Sequence, residues 1–182
     1  WSAIINGGYD ADAMNDCGYP GIVDYLSAEA PEALGIPGVQ VTHIWCDNYE
    51  EAVHVAKASC IPNVVARPED VIGHVDAVIV ATDIGHEHID RARPFIEAGI
   101  PVFIDKPLCD NAEDLAQFLQ WHQEGKAFMS SSCMRYAKEF RALGNRMDAL
   151  GELRLITITM AKTWERYGIH ALESTYPLLR AG

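Results

Sequence analysis

The sequence predicts an α/β protein built on a doubly wound parallel sheet. From residue 39 onward, short apolar runs alternate with segments of helical spacing. The runs are continuous rather than alternating, as at residues 75–81, which is typical of strands that are covered on both faces. Helix-ending glycines such as Gly99 and Gly125 stand just before the next run. Repeated strand, helix, strand units of this kind imply right-handed crossovers and a parallel sheet.

Local signals predict the individual elements. Residues 1–40 are rich in glycine and proline and are expected to form a surface excursion with a short helix over 22–28. The predicted strands cover residues 39–46, 63–66, 75–81, 101–104, 128–134 and 153–160. The predicted helices cover residues 49–59, 89–98, 112–124 and 137–150, with a short helix opening at Pro68. Asn111 is the predicted N-cap of its helix, and Val53 and Ala56, with Val55 beside them, are predicted to face inward in theirs.

Composition excludes several classes of function. The chain has 182 residues, of which 49% are hydrophobic and 22% charged, enough for one full domain and part of another. The 26 acidic and 14 basic residues give a net charge of -12, which would repel a phosphate backbone or an anionic membrane surface. No apolar run approaches the roughly 20 residues of a membrane span, and no secretion signal opens the chain. These features predict a cytoplasmic protein with no nucleic-acid partner and no membrane partner.

Cysteine and histidine spacing gives no metal-binding pattern. The five cysteines include no Cys-x-x-Cys pair, which argues against a disulfide framework and a zinc ribbon. His86 and His88 could suggest a metal ligand pair, but they would face different sides of a helix and no third ligand is evident. The sequence therefore predicts reduced thiols and no metal site.

A parallel sheet binds ligands outside the carboxyl ends of its strands. Asp47 follows the first predicted strand, where a carboxylate can accept hydrogen bonds from ribose hydroxyls and repel a 2'-phosphate, which would favour NAD over NADP. It could equally cap the helix that begins near Tyr49, and its position alone leaves both interpretations open. Ala81, Thr82 and Asp83 end the central strand, where small residues would let a dinucleotide lie close to the backbone.

The strand at residues 101–104 is followed directly by Asp105, Lys106 and Pro107. This pattern resembles the Gfo/Idh/MocA family, the relatives of glucose-fructose oxidoreductase and inositol dehydrogenase, whose signature is an acidic residue followed by Lys-Pro at this strand end. The resemblance extends from about residue 39 to residue 179. It also includes the apolar run at 75–82, His88 before Gly99, and the segments 134–136, 151–153 and 168–170.

The resemblance implies an NAD-dependent oxidoreductase that acts on a sugar, an inositol or a related polyol, with NADP as the less favoured cofactor. Residues 1–133 would form a Rossmann-type domain, and residues 134–182 would begin an α+β domain for substrate binding and homo-oligomer formation. The implied cofactor-binding residues are Asp47, Ala81, Thr82, Asp83, His88, Asp105, Lys106 and Pro107. The implied substrate-binding residues are Lys106, Arg135, Tyr167 and His170.

Lys106 and His170 are the implied catalytic residues. A lysine ammonium beside the substrate hydroxyl would stabilise a developing alkoxide, and an imidazole suits proton exchange with an alcohol near neutral pH. We expect the two groups to face a common cleft within about 10 Å. The alternatives are a solvated surface lysine and a histidine that packs within an amphipathic helix.

The sequence departs from the family pattern in two places. Arg166 stands where a typical member has an aspartate four residues before the catalytic histidine, so Glu165, Tyr167 or Glu173 would have to supply polar contacts. No GxGxxG turn precedes Asp47, and residues 1–6 resemble the tail of a first helix. We therefore expect about 15 to 25 further residues upstream, with a strand and a glycine turn, and a larger sheet downstream.

Three classes of function follow from these observations. The first is the nicotinamide-dependent oxidoreductase. The second is a non-catalytic relative that binds a nucleotide or sugar as a scaffold or regulator, which Arg166 favours. The third is a generic α/β binding domain in which the Asp-Lys-Pro sequence is coincidental.

Overall fold

A computed structural model describes residues 1–179, which divide into two compact units, Trp1–Val75 and the part of the chain that begins at Asp76. The first unit contains α1 (Ser2–Asn6), α2 (Ala11–Asn15), α3 (Pro20–Ala28), β1 (His43–Ile44), α4 (Tyr49–Ala58) and β2 (Asn63–Val64). The second contains β3 (Val78–Val80), α5 (His88–Glu97), β4 (Val102–Ile104), α6 (Ala112–Gln123), β5 (Phe128–Ser130), α7 (Lys138–Gly144), α8 (Met147–Leu150) and α9 (Trp164–Thr175). No helix within residues 1–179 is long and apolar enough to cross a membrane.

The helices of the first unit pack around one buried apolar cluster. Ala3, Ala13, Met14, Leu26 and Ala58 form its buried cluster. The predicted helix near residue 22 is confirmed as α3, and the predicted helical tail at residues 1–6 is confirmed as α1. The glycine-rich region is nevertheless more helical than predicted, since α2 follows α1 after a left-handed glycine.

Two predictions within the first unit are wrong in detail. Val53 is 40% exposed, while Ala52 and Ala56 are buried, because α4 presents a small-residue face to its neighbours. The strand predicted at 39–46 shrinks to β1, which pairs in parallel with β2. The Asn6 side chain bonds to the backbone just before β1, where it accepts a hydrogen bond from the Val41 amide (2.7 Å) and donates to the Val41 carbonyl (3.3 Å).

The second unit is organised around a parallel three-stranded sheet with the order β3-β4-β5. Val80, Val102 and Ile104 are buried on one face, and Phe118 of α6 packs against Phe128 on that same face. The expectation that the strand over residues 75–81 is buried on both of its faces is wrong. Side chains alternate along a strand, so the opposite face carries Ile79 and Met129, which are 40% and 46% exposed.

The predicted capping of α6 is confirmed. The Asn111 side chain accepts a hydrogen bond from the Asp114 amide at 2.9 Å, and the helix ends just before Gly125 at a φ of 75°. An N-cap side chain satisfies an amide that has no partner within its own helix.

We expect Asn111→Ala to lower the free energy of unfolding by about 1 kcal/mol, because the Asp114 amide would lose its acceptor. Chemical denaturation followed by circular dichroism measures the change. Asn111→Ser keeps a side-chain acceptor for the Asp114 amide without placing a second carboxylate beside Asp114, so it should lose less stability than Asn111→Ala, and equal losses for both variants would contradict the capping role.

The part of the second unit after β5 differs most from the sequence-based expectation. The predicted strand 128–134 ends at Ser130 and is followed by a 3-10 turn, Cys133–Tyr136. The helix predicted at 137–150 is interrupted between α7 and α8. The strand predicted at 153–160 is absent from the described structure, and Leu155 there is 78% exposed. A strand needs a neighbour for its backbone amides and carbonyls, and no such pairing is formed over these residues.

Candidate functional site

The loop after β3 is organised by Thr82. Its hydroxyl accepts a hydrogen bond from the Ile84 amide (3.3 Å) and lies 3.4 Å from a carboxylate oxygen of Glu87. Ala81 is exposed, and Asp83, the last of the three residues predicted here, lies 3.8 Å from the Arg166 guanidinium. The carboxyl end of β3 therefore presents a small side chain beside an ordered polar loop.

His88 joins this loop to the loop after β4. Its ring is fully buried; Nε2 lies 2.8 Å from the Thr82 carbonyl, and Nδ1 lies 2.8 Å from the carbonyl of Pro107. Both ring nitrogens thus face backbone oxygens, so the contacts of His88 hold the two strand ends together. A direct contact between His88 and a cofactor stays a prediction.

The loop after β4 holds the lysine of the Asp-Lys-Pro sequence. The Lys106 ammonium lies 3.4 Å from an Asp105 carboxylate oxygen, and the two side chains are only 14% and 13% exposed. A solvated surface lysine would be far more exposed. Lys106 is instead a largely buried cation whose charge is partly balanced by its neighbour.

Helix α9 brings Tyr167 and His170 to Lys106. The Lys106 ammonium lies 5.6 Å from the centre of the Tyr167 ring, and the His170 ring centre lies 5.8 Å from the same point. The two residues predicted to be catalytic therefore contact one tyrosine ring, although 64 positions separate them. Their placement within 10 Å across a common cleft stays a prediction.

The charge on His170 is controlled by burial and by Lys106. Burial lowers the pKa of the His170 imidazole below its usual value, the positive charge of Lys106 lowers it further, and Asp105 partly opposes both effects. The neutral ring is consequently the dominant form at neutral pH.

Ser132 is a site residue that the sequence analysis missed. Its hydroxyl oxygen lies 2.6 Å from Nδ1 of His170, and the residue is fully buried. Ser132 follows β5, so the rule that ligands bind at the carboxyl ends of parallel strands could have identified it. A lone serine in no recognisable motif gave no other signal.

Arg135 and Arg166 both make ion pairs within the second unit. The Arg135 guanidinium pairs with Glu173 and lies 5.5 Å from the Tyr176 ring centre, which ties the 3-10 turn to α9. Arg166 pairs with Asp83. The predicted substrate contacts of Arg135 and Tyr167 stay predictions, and Glu173 is engaged by Arg135.

Asp47 lies in the first unit and is exposed. The N-cap of α4 is its neighbour Asn48, whose side-chain oxygen accepts hydrogen bonds from the amides of Glu50 (3.0 Å) and Glu51 (3.4 Å). The capping interpretation of Asp47 is therefore wrong, since Asn48 performs that role. The interpretation of Asp47 as a ribose-binding carboxylate stays a prediction.

Solved structures of known enzymes share this fold. The chain superposes on myo-inositol 2-dehydrogenase from Lactobacillus plantarum with a TM-score of 0.56 and 18% identity, over 63% of this chain and 34% of that one. Scyllo-inositol dehydrogenase from Lactobacillus casei, solved with NAD(H) and scyllo-inositol, gives a TM-score of 0.55 and 19% identity over 63% and 34%. A 3-ketoreductase from Actinomadura kijaniata, solved as a variant with TDP-benzene and NADP, gives 0.55 and 21% over 63% and 35%.

Sequence comparison identifies the family. A protein of Amycolatopsis mediterranei (strain S699) described as a UDP-kanosamine synthase oxidoreductase subunit is 28% identical over 102 residues, which are 56% of this chain and 28% of that protein. The chain thus spans about a third of the length of the relatives that it matches. Residues 19–131 match the model of the Gfo/Idh/MocA oxidoreductase family with an NAD-binding Rossmann fold. The chain belongs to this family.

Proposed function

We propose that the protein transfers a hydride between a nicotinamide cofactor, NAD in preference to NADP, and a sugar, an inositol or a related polyol. The observation that carries the proposal is the meeting of Lys106, Tyr167 and His170 beside the carboxyl end of β4. Membership of an oxidoreductase family with an NAD-binding fold supports it.

The residues at the strand ends are suited to a dinucleotide. Ala81 is exposed and small, so a flat ring could approach the backbone there. In the first unit, Asp47 is the residue that we assign to the ribose hydroxyls. Thr82, Asp83, His88, Asp105, Lys106 and Pro107 complete the set that we assign to the cofactor. The bound nicotinamide supplies or accepts the hydride.

Lys106 and His170 would act on the substrate oxygen. The Lys106 ammonium is shielded from water, so its interaction with a developing alkoxide is stronger than that of a surface lysine. His170 is neutral near pH 7 because burial and Lys106 lower its pKa, so it can form a hydrogen bond with that oxygen or exchange a proton with it.

A non-catalytic binding protein of the same family is the second candidate. The pairing of Arg166 with Asp83 favours it, because a cation occupies the position where the resemblance implies an acid. Titration of the protein with NADH, followed by cofactor fluorescence, tests whether the protein binds the cofactor, which both candidate functions allow. Turnover with a panel of polyols and keto sugars then separates them, and saturable binding without turnover would support the second.

Asp47 is expected to set the choice of cofactor. In Asp47→Ser, loss of the carboxylate should weaken NADH binding relative to NADPH by about 10-fold or more, since one charged hydrogen-bonding group is worth about 1.5–3 kcal/mol. Fluorescence titrations with both cofactors give the ratio. Asn48→Ala removes the helix cap without changing the charge and should leave the ratio unaltered. An unchanged ratio in Asp47→Ser would show that the carboxylate does not meet the ribose.

A further inference from the structure

The hydrogen bond between Ser132 and His170 can determine where the neutral imidazole carries its proton. Ser132 is fully buried, and its Oγ lies 2.6 Å from Nδ1 of His170. The same oxygen accepts a hydrogen bond from the Met134 amide at 3.1 Å, which fixes the hydroxyl at the start of the 3-10 turn. This hydrogen bond is shielded from water, so the partner that donates its hydrogen determines the tautomer of the imidazole.

A serine hydroxyl has one hydrogen to donate. The Met134 amide already donates to Oγ, and within residues 1–179 the acceptor placed to receive the hydroxyl hydrogen is Nδ1 of His170. If Nδ1–H donated to Ser132 instead, the buried hydroxyl hydrogen would lack an acceptor, at a cost of about 1–3 kcal/mol. The neutral ring therefore accepts at Nδ1 and carries its hydrogen on Nε2.

We infer that Ser132 is a positioning residue that holds His170 in the Nε2–H tautomer, so that the neutral ring donates a hydrogen bond to the substrate oxygen. This inference rests on the proposed function for its consequence at the substrate. The Lys106 ammonium is also a donor, and the pair matches the oxygen of a carbonyl compound or an alkoxide. The substrate class that best fits the neutral site is accordingly a keto sugar or keto polyol.

The other polar and charged groups around His170 do not replace the hydrogen bond between Ser132 and Nδ1. Lys106 and Asp105 reach the ring from the end of β4, and Tyr167 lies one turn earlier on α9. Arg135 and Glu173, which join the 3-10 turn to α9, are paired with each other. The hydrogen bond to Nδ1 itself is made by Ser132.

Nitrogen-15 NMR of the histidine rings tests the tautomer without any turnover. The His170 signals are assigned by comparison with His170→Asn. In the wild-type protein, above the pKa of the ring, we expect the hydrogen on Nε2 and an unprotonated Nδ1. A hydrogen on Nδ1 would overturn the inference, and this measurement does not depend on the folding of any Ser132 variant.

Ser132→Ala gives a second readout with a definite sign. A donor to Nδ1 stabilises the neutral ring, so its removal should raise the pKa of His170 by roughly 0.5–1 unit. Ser132→Cys keeps a weak S–H donor and should give a smaller rise. Ser174→Ala is the matched control, because Ser174 is also buried but donates to the Ala171 carbonyl, and it should leave the His170 titration unchanged. A lower or unaltered pKa in Ser132→Ala would contradict the inference.

Kinetics separate this inference from the proposed function. With a keto substrate that the protein reduces, Ser132→Ala should lower kcat by about 10-fold at an unchanged dissociation constant for NADH. An Nε2–H tautomer in a protein that binds no NADH would refute the proposed function alone. Turnover that requires His170 but is unaffected in Ser132→Ala would refute the positioning role alone.

Discussion

Replacing Lys106 or His170 by alanine should each reduce turnover by about 100-fold or more, and replacing both should cost much less than the product of the single losses. Both side chains contact the ring of Tyr167 on α9. If the Lys106 and His170 side chains act on one substrate oxygen, the loss of either one removes most of the stabilisation that the other can provide.

Steady-state rates of NADH consumption measure these losses, and NADH titration confirms that each variant still binds cofactor. Lys138→Ala and His122→Ala are the controls, because both residues are exposed in the same unit and should leave turnover within about two-fold of the wild type. Single losses that multiply in the double variant would show that Lys106 and His170 act independently.

Phe118→Ala should lower the free energy of unfolding by about 3–5 kcal/mol. The Phe118 ring is fully buried, and its centre lies 5.5 Å from that of Trp121 and 5.4 Å from that of Phe128. Truncation removes the contacts that hold α6 against the sheet and leaves a cavity that the rigid neighbours cannot fill.

Denaturant unfolding of wild-type and variant protein measures this cost. Leu119 lies next to Phe118 on α6 but is 52% exposed, so Leu119→Ala should cost about 1 kcal/mol or less. Equal costs for the two variants would show that the Phe118 contacts do not hold α6 on the sheet.

Elements with local signals were predicted well from the sequence. The helix α6 has a capping asparagine and a terminal glycine, and β4 lies between a helix-ending glycine and the Asp-Lys-Pro sequence. Elements that depend on distant partners were predicted poorly. The strand expected at 39–46 is reduced to His43–Ile44, which pairs with residues about 20 positions away, and the segment 153–160 forms no strand pairing within residues 1–179.

The same distinction applies to the candidate site. Lys106 and His170 were found because they lie in recognisable segments of the sequence. Ser132 was missed because its importance comes from a contact with a ring 38 positions away. The role of Asn48 as N-cap, in place of Asp47, depends on backbone geometry that a shift of one residue changes.

Transfer of deuterium from labelled cofactor to substrate would show hydride transfer by this protein. The protein is incubated with NADH that carries deuterium at both C4 positions and with each member of a panel of keto sugars and keto inositols, and the products are examined by mass spectrometry. We expect at least one product to carry deuterium on its new carbinol carbon, and we expect Lys106→Ala and His170→Ala nearly to abolish this label. Saturable NADH binding with no deuterium in any product would contradict the proposed hydride transfer and favour a binding protein without catalytic activity.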